Sequence, residues 1–375
     1  RLPKKITISL KKLEKKNIIK FPQNIKNITV ELPPKNQRAD ISCNAAMILS
    51  KANNYSPLLL AEIIKKHLLS DFKEFSNVDI AKPGFLNINF QLSFWRKYLT
   101  KVIELNYKYG SNKASTKKYN IEFVSANPTG PLHVGHCRGA VLGDTLANLL
   151  IFNGNKVTKE YYVNDTGGQI ENFVSSIYYR ILEIKNKQPF PTDKNLYPGD
   201  YIIDIARQIS RGKSIKNFNI FKEIYKKLSS ESLKHSMKLI KKNLELLGVK
   251  HNNFVYESAL IKNQLVAKVI KKLKNENFIY EGTLDTPKGE VSESWKARKQ
   301  LLFKSTAFGD DIDRPLQKAD GTWTYFAGDV AYHSHKLSRN FDVLINILGA
   351  DHAGYIKRIV SATKAISKNK INLLC

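Results

Sequence analysis

Two histidines three positions apart, His133 and His136, open an alanine- and leucine-rich helical segment that reads HVGHCRGAVLGDTLANLL. An apolar run at residues 121–124 predicts a strand before them, and a loop rich in proline and glycine joins the two. A strand, a glycine loop and a helix N-terminus together form an anion site, because exposed amides and the helix dipole favour phosphate. Two imidazoles add hydrogen-bond donors for the charge of a reacting triphosphate. The pattern predicts nucleotide chemistry at His133, Gly135 and His136.

The motif and its flanks, EFVSANPTGPLHVGH followed by RGAVLGD, resemble the HIGH motif of class I aminoacyl-tRNA synthetases, and of the arginyl-tRNA synthetase family in particular. The resemblance implies that the arginine carboxylate attacks the α-phosphate of ATP, giving arginyl-adenylate and pyrophosphate. The adenylate then esterifies the terminal ribose of tRNA. Positioning and charge stabilisation carry such a reaction. Mg²⁺ would arrive with ATP, and no zinc is implied.

A second loop, GADH, follows an apolar run at residues 341–348 that suits a strand covered on both faces. Ligands of open α/β sheets bind at the carboxyl ends of strands. We therefore expect this loop beside the histidine loop, on a neighbouring strand. The resemblance assigns Gly349 and Asp351 to the ribose of ATP, and His352, together with His136, to arginine. The alternative for Asp351 is a helix cap after a glycine turn.

Tyr325 and Asp329 are four residues apart at the start of a helical segment, and so they share one face. A phenol and a carboxylate suit a guanidinium, which binds planar, charge-assisted acceptors. The segment TYFAGDVAYH resembles the arginine-binding helix of the family, in which the tyrosine and the acid hold the guanidinium. The resemblance adds Glu122 as a second acid for that group, and Ser125 and Asn127 for the backbone end of arginine. The alternative is a core aromatic and a surface acid.

The length of 375 residues and the pattern of elements predict two domains. The pattern of residues 1–112 predicts a small α+β domain. Two of its segments, CNAAMILSK and AKPGFLNINF, resemble the tRNA-contacting N-terminal domain of the family. From residue 113 to 375 strand and helix patterns alternate, with strands predicted at 120–125 and 156–163 and helices at 134–153 and 168–185. This alternation predicts a Rossmann-like α/β catalytic domain with a parallel sheet. Residues 186–290 are lysine-rich and predict a basic, helix-rich insertion, after which the sheet resumes with strands at 301–305 and 341–348.

Net charge and cysteine content indicate which binding partners and which cellular compartment to expect. The net charge of +28 attracts polyanions and favours tRNA as a partner, although a lysine bias from an AT-rich genome explains part of it. The three cysteines lack CxxC spacing, which argues against a zinc site and suits a reducing, cytoplasmic compartment. No apolar run reaches the length of a membrane helix. We expect a cytoplasmic monomer that does not bind membranes.

One departure from the family pattern is clear. Class I synthetases carry a KMSK-type loop that neutralises pyrophosphate, followed in this family by a helical anticodon-binding domain, and neither is in this sequence. We therefore expect an incomplete form that turns over slowly by itself. Two rival functions remain: a non-catalytic tRNA-binding module, and a small HxGH nucleotidyltransferase. The intact site residues argue against the first, and the extra domain, the insertion and the GADH loop argue against the second.

Overall fold

A computed structural model describes residues 2–22, 27–112, 116–284, 299–318 and 320–375, and of residues 351–353 the backbone alone. The chain divides into two compact units, residues 1–110 and residues 111–375. Within the described ranges, no helix is both long enough and apolar enough to cross a membrane.

The first unit combines helices with a four-stranded antiparallel sheet of order β1-β2-β4-β3. Its elements are α1 (Leu2–Lys15), β1 (Val30–Glu31), β2 (Ile41–Cys43), α2 (Ala45–Asn53), α3 (Pro57–Asp71), β3 (Phe75–Ala81), β4 (Phe85–Phe90) and α4 (Leu92–Leu105). Local sequence explains the start of α3. Ser56 Oγ accepts a hydrogen bond from the backbone amide of Leu59 at 3.2 Å, and proline occupies the first helical position. Apolar faces of α1, α2, α3 and the sheet bury one shared core, to which α4 contributes no buried residue.

The second unit is built on a five-stranded, all-parallel sheet of order β12-β11-β5-β6-β7. The strands of this sheet are β5 (Lys118–Glu122), β6 (Lys156–Val163), β7 (Asn253–Tyr256), β11 (Val343–Asn346) and β12 (Asn372–Leu374). The unit also contains β8 (Ile279–Gly282), β9 (Gln300–Phe303) and β10 (Arg314–Pro315), which lie in a second sheet. Its helices are α5 (Val134–Phe152), α6 (Gly168–Asn186), α7 (Asp200–Arg211), α8 (Phe221–Leu246), α9 (Glu257–Lys262), α10 (Leu265–Asn275), α11 (Tyr325–Leu337) and α12 (Ile356–Ser367). A parallel sheet with crossover helices confirms the predicted Rossmann-like α/β class.

The strands before the two predicted loops are neighbours in the sheet. Glu122, the last residue of β5, is in register with Asn346, the last residue of β11. The pairing continues one step further, because the amide of Ile347 donates to the carbonyl of Glu122 at 2.8 Å. The predicted adjacency of these strands is confirmed, and both loops leave the same carboxyl edge of the sheet.

The structure differs from the sequence expectation at two short strands. Residues 253–256, inside the segment predicted as an insertion, form β7 and pair in parallel with β6. Residues 300–303 do not resume the parallel sheet; β9 lies in a separate antiparallel sheet of order β10-β9-β8. The prediction that strand 301–305 continues the main sheet is therefore wrong. Three apolar residues in a row indicate a strand but do not specify its partner, which tertiary packing selects.

Helix α5 approaches the sheet through a face of small residues. Its buried positions are Ala140, Gly143 and Ala147. A Cβ atom built on Gly143 would lie 2.2 Å from Cγ of Phe123, the buried residue that follows β5. Only glycine allows this separation, so Gly143 sets how closely the helix lies to the strand that carries the site. By contrast, a Cβ on Gly139, one turn earlier, would meet nothing within 4 Å.

We expect Gly143→Ala and Gly139→Ala to change stability in opposite directions. Alanine is the better helix former by about 1 kcal/mol, so Gly139→Ala should stabilise the chain. At Gly143 the added methyl group overpacks the ring of Phe123, at a cost of about 1–3 kcal/mol that exceeds this gain. Urea unfolding of both variants measures the difference. Equal stability of the two variants would contradict the packing argument.

Candidate active site

The two histidines of the HVGH motif cap the N-terminus of α5. His133 is the N-cap residue, and its Nδ1 atom accepts a hydrogen bond from the amide of Gly135 at 3.1 Å. His136 Nδ1 accepts in return from the amide of His133 at 3.3 Å. The two rings lie 3.8 Å apart between centroids. This reciprocal arrangement is a capping box made of imidazoles, and it holds both rings at the helix start.

The capping bonds determine which nitrogen of each ring carries the proton. A backbone amide can only donate, so each Nδ1 atom must be an unprotonated acceptor. The proton of each neutral ring therefore lies on Nε2, which remains available as a donor. Burial, and next the charge of His133, lower the pKa of His136. At neutral pH His136 is thus a neutral Nε2–H donor beside the positive end of a helix dipole, an arrangement suited to phosphate oxygens.

The loop between β5 and α5 begins with a tight reversal. Val124 and Ser125 have φ angles of 70° and 43°, a left-handed conformation that is strained for a β-branched residue such as valine. Ser125 Oγ donates to Glu122 Oε1 at 3.0 Å and accepts from the amide of Tyr162 at 3.0 Å. Asn127 Nδ2 donates to Gln169 Oε1 at 2.6 Å. Side chains of the predicted site thus hold the loop against the neighbouring strand and α6.

Carboxylates gather at the same edge of the sheet, around Asp329 on α11. Burial is the main reason that the pKa of Asp329 rises to about 7, and the charges of Glu122 and Glu257 raise it further. The hydroxyl of Tyr355 donates to Asp329 Oδ2. Glu257 Oε1 would lie 3.7 Å from a Cβ on Gly328, the residue before Asp329. A half-buried acid with a pKa of about 7 and other acids near it favours the binding of a cation, which would offset the repulsion between their charges.

Tyr162, near the end of β6, lies inside this group of acids. Burial first, and then four negative charges, raise the pKa of Tyr162: those of Glu257, Asp329, Glu122 and Asp165. Asp165 itself holds the start of α9, because its carboxylate accepts from the amide and the hydroxyl of Ser258 at 2.8 and 2.5 Å. Gly167, in the same loop, has φ 86° and ψ −179°, a conformation restricted to glycine.

The structure brings some predicted residues together and leaves others apart. Glu122 and Ser125 are hydrogen-bonded, and Asp329 lies within their electrostatic reach. Tyr325 is 74% exposed, with Lys318 Nζ at 5.6 Å from its ring centre. Gly349 is exposed at the start of the second loop. The side chains of Asp351 and His352 lie outside the described part of the structure.

Sequence reasoning missed two residues of this group, Glu257 and Tyr355. Glu257 comes directly after β7, and Asp165 comes shortly after β6. Because ligands bind at the carboxyl ends of parallel strands, Glu257 could have been predicted if β7 had been recognised as a strand of this sheet. No sequence spacing indicated Tyr355. In the part of the chain described, no group of three or more His, Cys, Asp or Glu side chains is arranged to hold a metal ion.

Family models match both units. Residues 1–90 match the arginyl tRNA synthetase N terminal domain, and residues 98–371 match the catalytic domain of tRNA synthetases class I (R). An arginine–tRNA ligase of Pelagibacter ubique is 50% identical over 99% of this chain, and one of Ehrlichia ruminantium is 45% identical over 91%. The chain covers 65% and 59% of the length of these relatives.

The fold agrees with a solved structure. The arginyl-tRNA synthetase of Thermus thermophilus aligns with a TM-score of 0.61 at 16% identity, covering 100% of this chain and 64% of that protein. At that identity the match concerns the fold alone. The family models together cover most of the chain. The chain therefore belongs to the arginyl-tRNA synthetase family, within the class I aminoacyl-tRNA synthetases.

Proposed function

We propose that this chain provides the arginine-activating part of an arginine–tRNA ligase. The carboxylate oxygen of L-arginine attacks the α-phosphorus of ATP, the bond to the pyrophosphate leaving group breaks, and arginyl-adenylate forms. A ribose hydroxyl at the 3′ end of tRNA then attacks the arginyl carbonyl and releases AMP. The observation that carries the proposal is the placement of an acidic group around Asp329 at the sheet edge from which the histidine-capped helix starts.

In this proposal His133, Gly135 and His136 bind the phosphates of ATP. The two Nε2–H groups, beside the positive end of the α5 dipole, are donors for oxygens that gain negative charge as pyrophosphate departs. Their capping bonds fix the rings before ATP arrives, which reduces the reorganisation needed in the transition state. Gly349 and Asp351, in the loop after β11, would contact the ribose. Mg²⁺ enters with ATP rather than as a resident ion.

Arginine would lie with its guanidinium toward Asp329, close to Glu122 and Glu257, and with Tyr325 closing over it from the first turn of α11. Glu257 joins this assignment because it approaches the helix beside Asp329. Two or more acids near one point favour a permanent cation over a neutral side chain. The backbone end of arginine would contact Ser125, Asn127, His136 and His352.

We further propose that tRNA binds both parts of the chain. The net charge of +28 suits a polyanion, and residues 1–112, which include the match to the N-terminal domain model, would form a tRNA-contacting domain. The basic segment 186–290 would be an insertion with a lysine-rich surface, although β7 joins the sheet and Met237, Ile240 and Leu244 of α8 pack in the core beside that sheet. We expect a cytoplasmic monomer.

Calorimetric titration with arginine, lysine and citrulline tests the substrate directly. Citrulline has nearly the shape of arginine without its charge, and lysine has the charge without the planar fork. We expect arginine to bind at least about 100-fold more tightly than either, since each analogue leaves a desolvated acid imperfectly paired. Equal binding of citrulline would refute recognition by the acidic group. Binding of tRNA without any amino acid would favour the non-catalytic module.

A further inference from the structure

Lys336 on α11 is fully buried, yet it takes no part in the chemistry proposed above. We infer that Lys336 is a positioning residue. It holds Glu122 in place, and Glu122 in turn anchors the loop at residues 123–127 beside the proposed arginine site. The inference deepens the proposed function and rests on it, because it adds a role to one of the acids. Besides lying close to the guanidinium, Glu122 holds the loop through the hydroxyl of Ser125.

Both oxygens of the Glu122 carboxylate are engaged within the protein. Lys336 Nζ donates to Glu122 Oε2 at 2.5 Å, and Ser125 Oγ donates to Oε1 at 3.0 Å. The Glu122 side chain is 9% exposed and that of Lys336 is 0% exposed. A buried carboxylate with its counter-charge and a second donor in place is satisfied without a ligand. The acids near it, Asp329 and Glu257, form no ion pair with Lys336 in the structure.

Lys336 also joins α11 to the neighbouring strand. Its Nζ donates to Asn346 Oδ1 at 2.7 Å, and the side-chain nitrogen of the same residue, Nδ2, lies 3.0 Å from His333 Nε2. His333 Nδ1 lies 2.8 Å from the carbonyl oxygen of Asp329, which can only accept. His333 must therefore carry its proton on Nδ1 and accept at Nε2. Burial is the main cause that lowers the pKa of His333 to about 4, so this ring stays neutral.

The network thus runs from the backbone of Asp329 through His333 and Asn346 to Lys336, and from there to Glu122 and the loop. Its last bond is the one from the amide of Tyr162 to Ser125 Oγ, at 3.0 Å. That amide lies beyond the end of β5, and the anchored loop supplies its acceptor. Hydrogen exchange at the Tyr162 amide therefore reports whether the loop is anchored, without any need for arginine.

The test compares Lys336→Met with Arg339→Met in the whole chain. Arg339 forms the matched ion pair three residues further on, with Nη1 and Nη2 at 2.5 and 2.8 Å from the buried carboxylate of Glu160. Each variant strips a buried acid of its counter-charge, so both should lose stability. Only the first should free the loop. We expect Lys336→Met to raise Tyr162 exchange and weaken arginine binding by about 100-fold relative to Arg339→Met, as a small misplacement of a site can.

A double variant, Glu122→Gln with Lys336→Met, covers the case in which the single variant does not fold. It removes both charges and leaves no unpaired buried acid. The hydrogen bond from Lys336 is still missing, so the exchange rate of the Tyr162 amide should remain raised. Exchange at the Tyr162 amide as slow as in the unaltered chain, in Lys336→Met or in the double variant, would overturn the inference. If the unaltered chain binds no arginine, the proposed function fails, while the exchange comparison still decides the role of Lys336.

Discussion

Replacing Asp329 with asparagine should weaken arginine binding by about 1,000-fold, the loss expected when one partner of a desolvated charge pair is removed. Asparagine keeps the shape and can still accept from the hydroxyl of Tyr355, so the change removes charge and little else. Calorimetry with arginine measures the loss. Asp311→Asn is the control, because that acid is exposed and pairs with Lys357 on the surface.

The raised pKa of Asp329 adds a pH dependence to this prediction. Since the pKa is about 7 and the guanidinium binds the ionised acid, arginine binding must displace a proton at lower pH. Affinity should rise roughly tenfold per pH unit up to pH 7 and then level off, by single-proton linkage. Asp329→Asn should lack this slope. A flat profile in the unaltered chain would contradict the assignment.

The same shift gives a stability control with the opposite sign. The folded chain holds the proton of Asp329 more tightly than the unfolded chain, in which the pKa is near 3.8. The stability that this proton contributes is full below that value and is lost as pH rises through about 7. Asp329→Asn should therefore be at least as stable as the unaltered chain at alkaline pH. A variant that loses arginine but keeps its stability has lost a ligand group, not its fold.

The second large effect concerns His136, where two substitutions separate phosphate binding from helix capping. Asparagine places an acceptor near the position of Nδ1 and nothing at Nε2, whereas glutamine places an amide donor near Nε2 and loses the capping acceptor. If the Nε2–H group stabilises the departing pyrophosphate, asparagine should lower the rate of arginine activation by about 100- to 1,000-fold. Glutamine should retain more activity than asparagine.

Arginine-dependent exchange of pyrophosphate into ATP, with tRNA present, measures this effect in a version extended to the length of the relatives. ATP titration of the chain itself accompanies it. Cys137→Ala is the matched control, since it alters the next residue of the same helix turn and leaves both capping bonds in place. The opposite order, with asparagine more active than glutamine, would show that His136 acts by holding the helix start.

Strong local patterns made much of the second unit predictable. The predicted helices at residues 134–153 and 168–185 correspond to α5 (Val134–Phe152) and α6 (Gly168–Asn186), and the predicted strand 156–163 matches β6. These elements have long apolar periodicity and clear terminal residues, such as the histidine cap. Short elements lacked that information. β7 and β9 have four residues each, and their sheet partners depend on packing that no local window contains.

The fold class, the family and the position of the histidine loop could be predicted from the sequence, because all three depend on contiguous motifs. The use of the acids depends on contacts that form only in the folded chain. Lys336 and Glu122 are 214 residues apart and meet because α11 lies beside the ends of β5 and β11. Glu257 gained its place near Asp329 through the pairing of β7 with β6. Charge pairing and burial act through space, so the state of each carboxylate depended on neighbours that sequence spacing does not reveal.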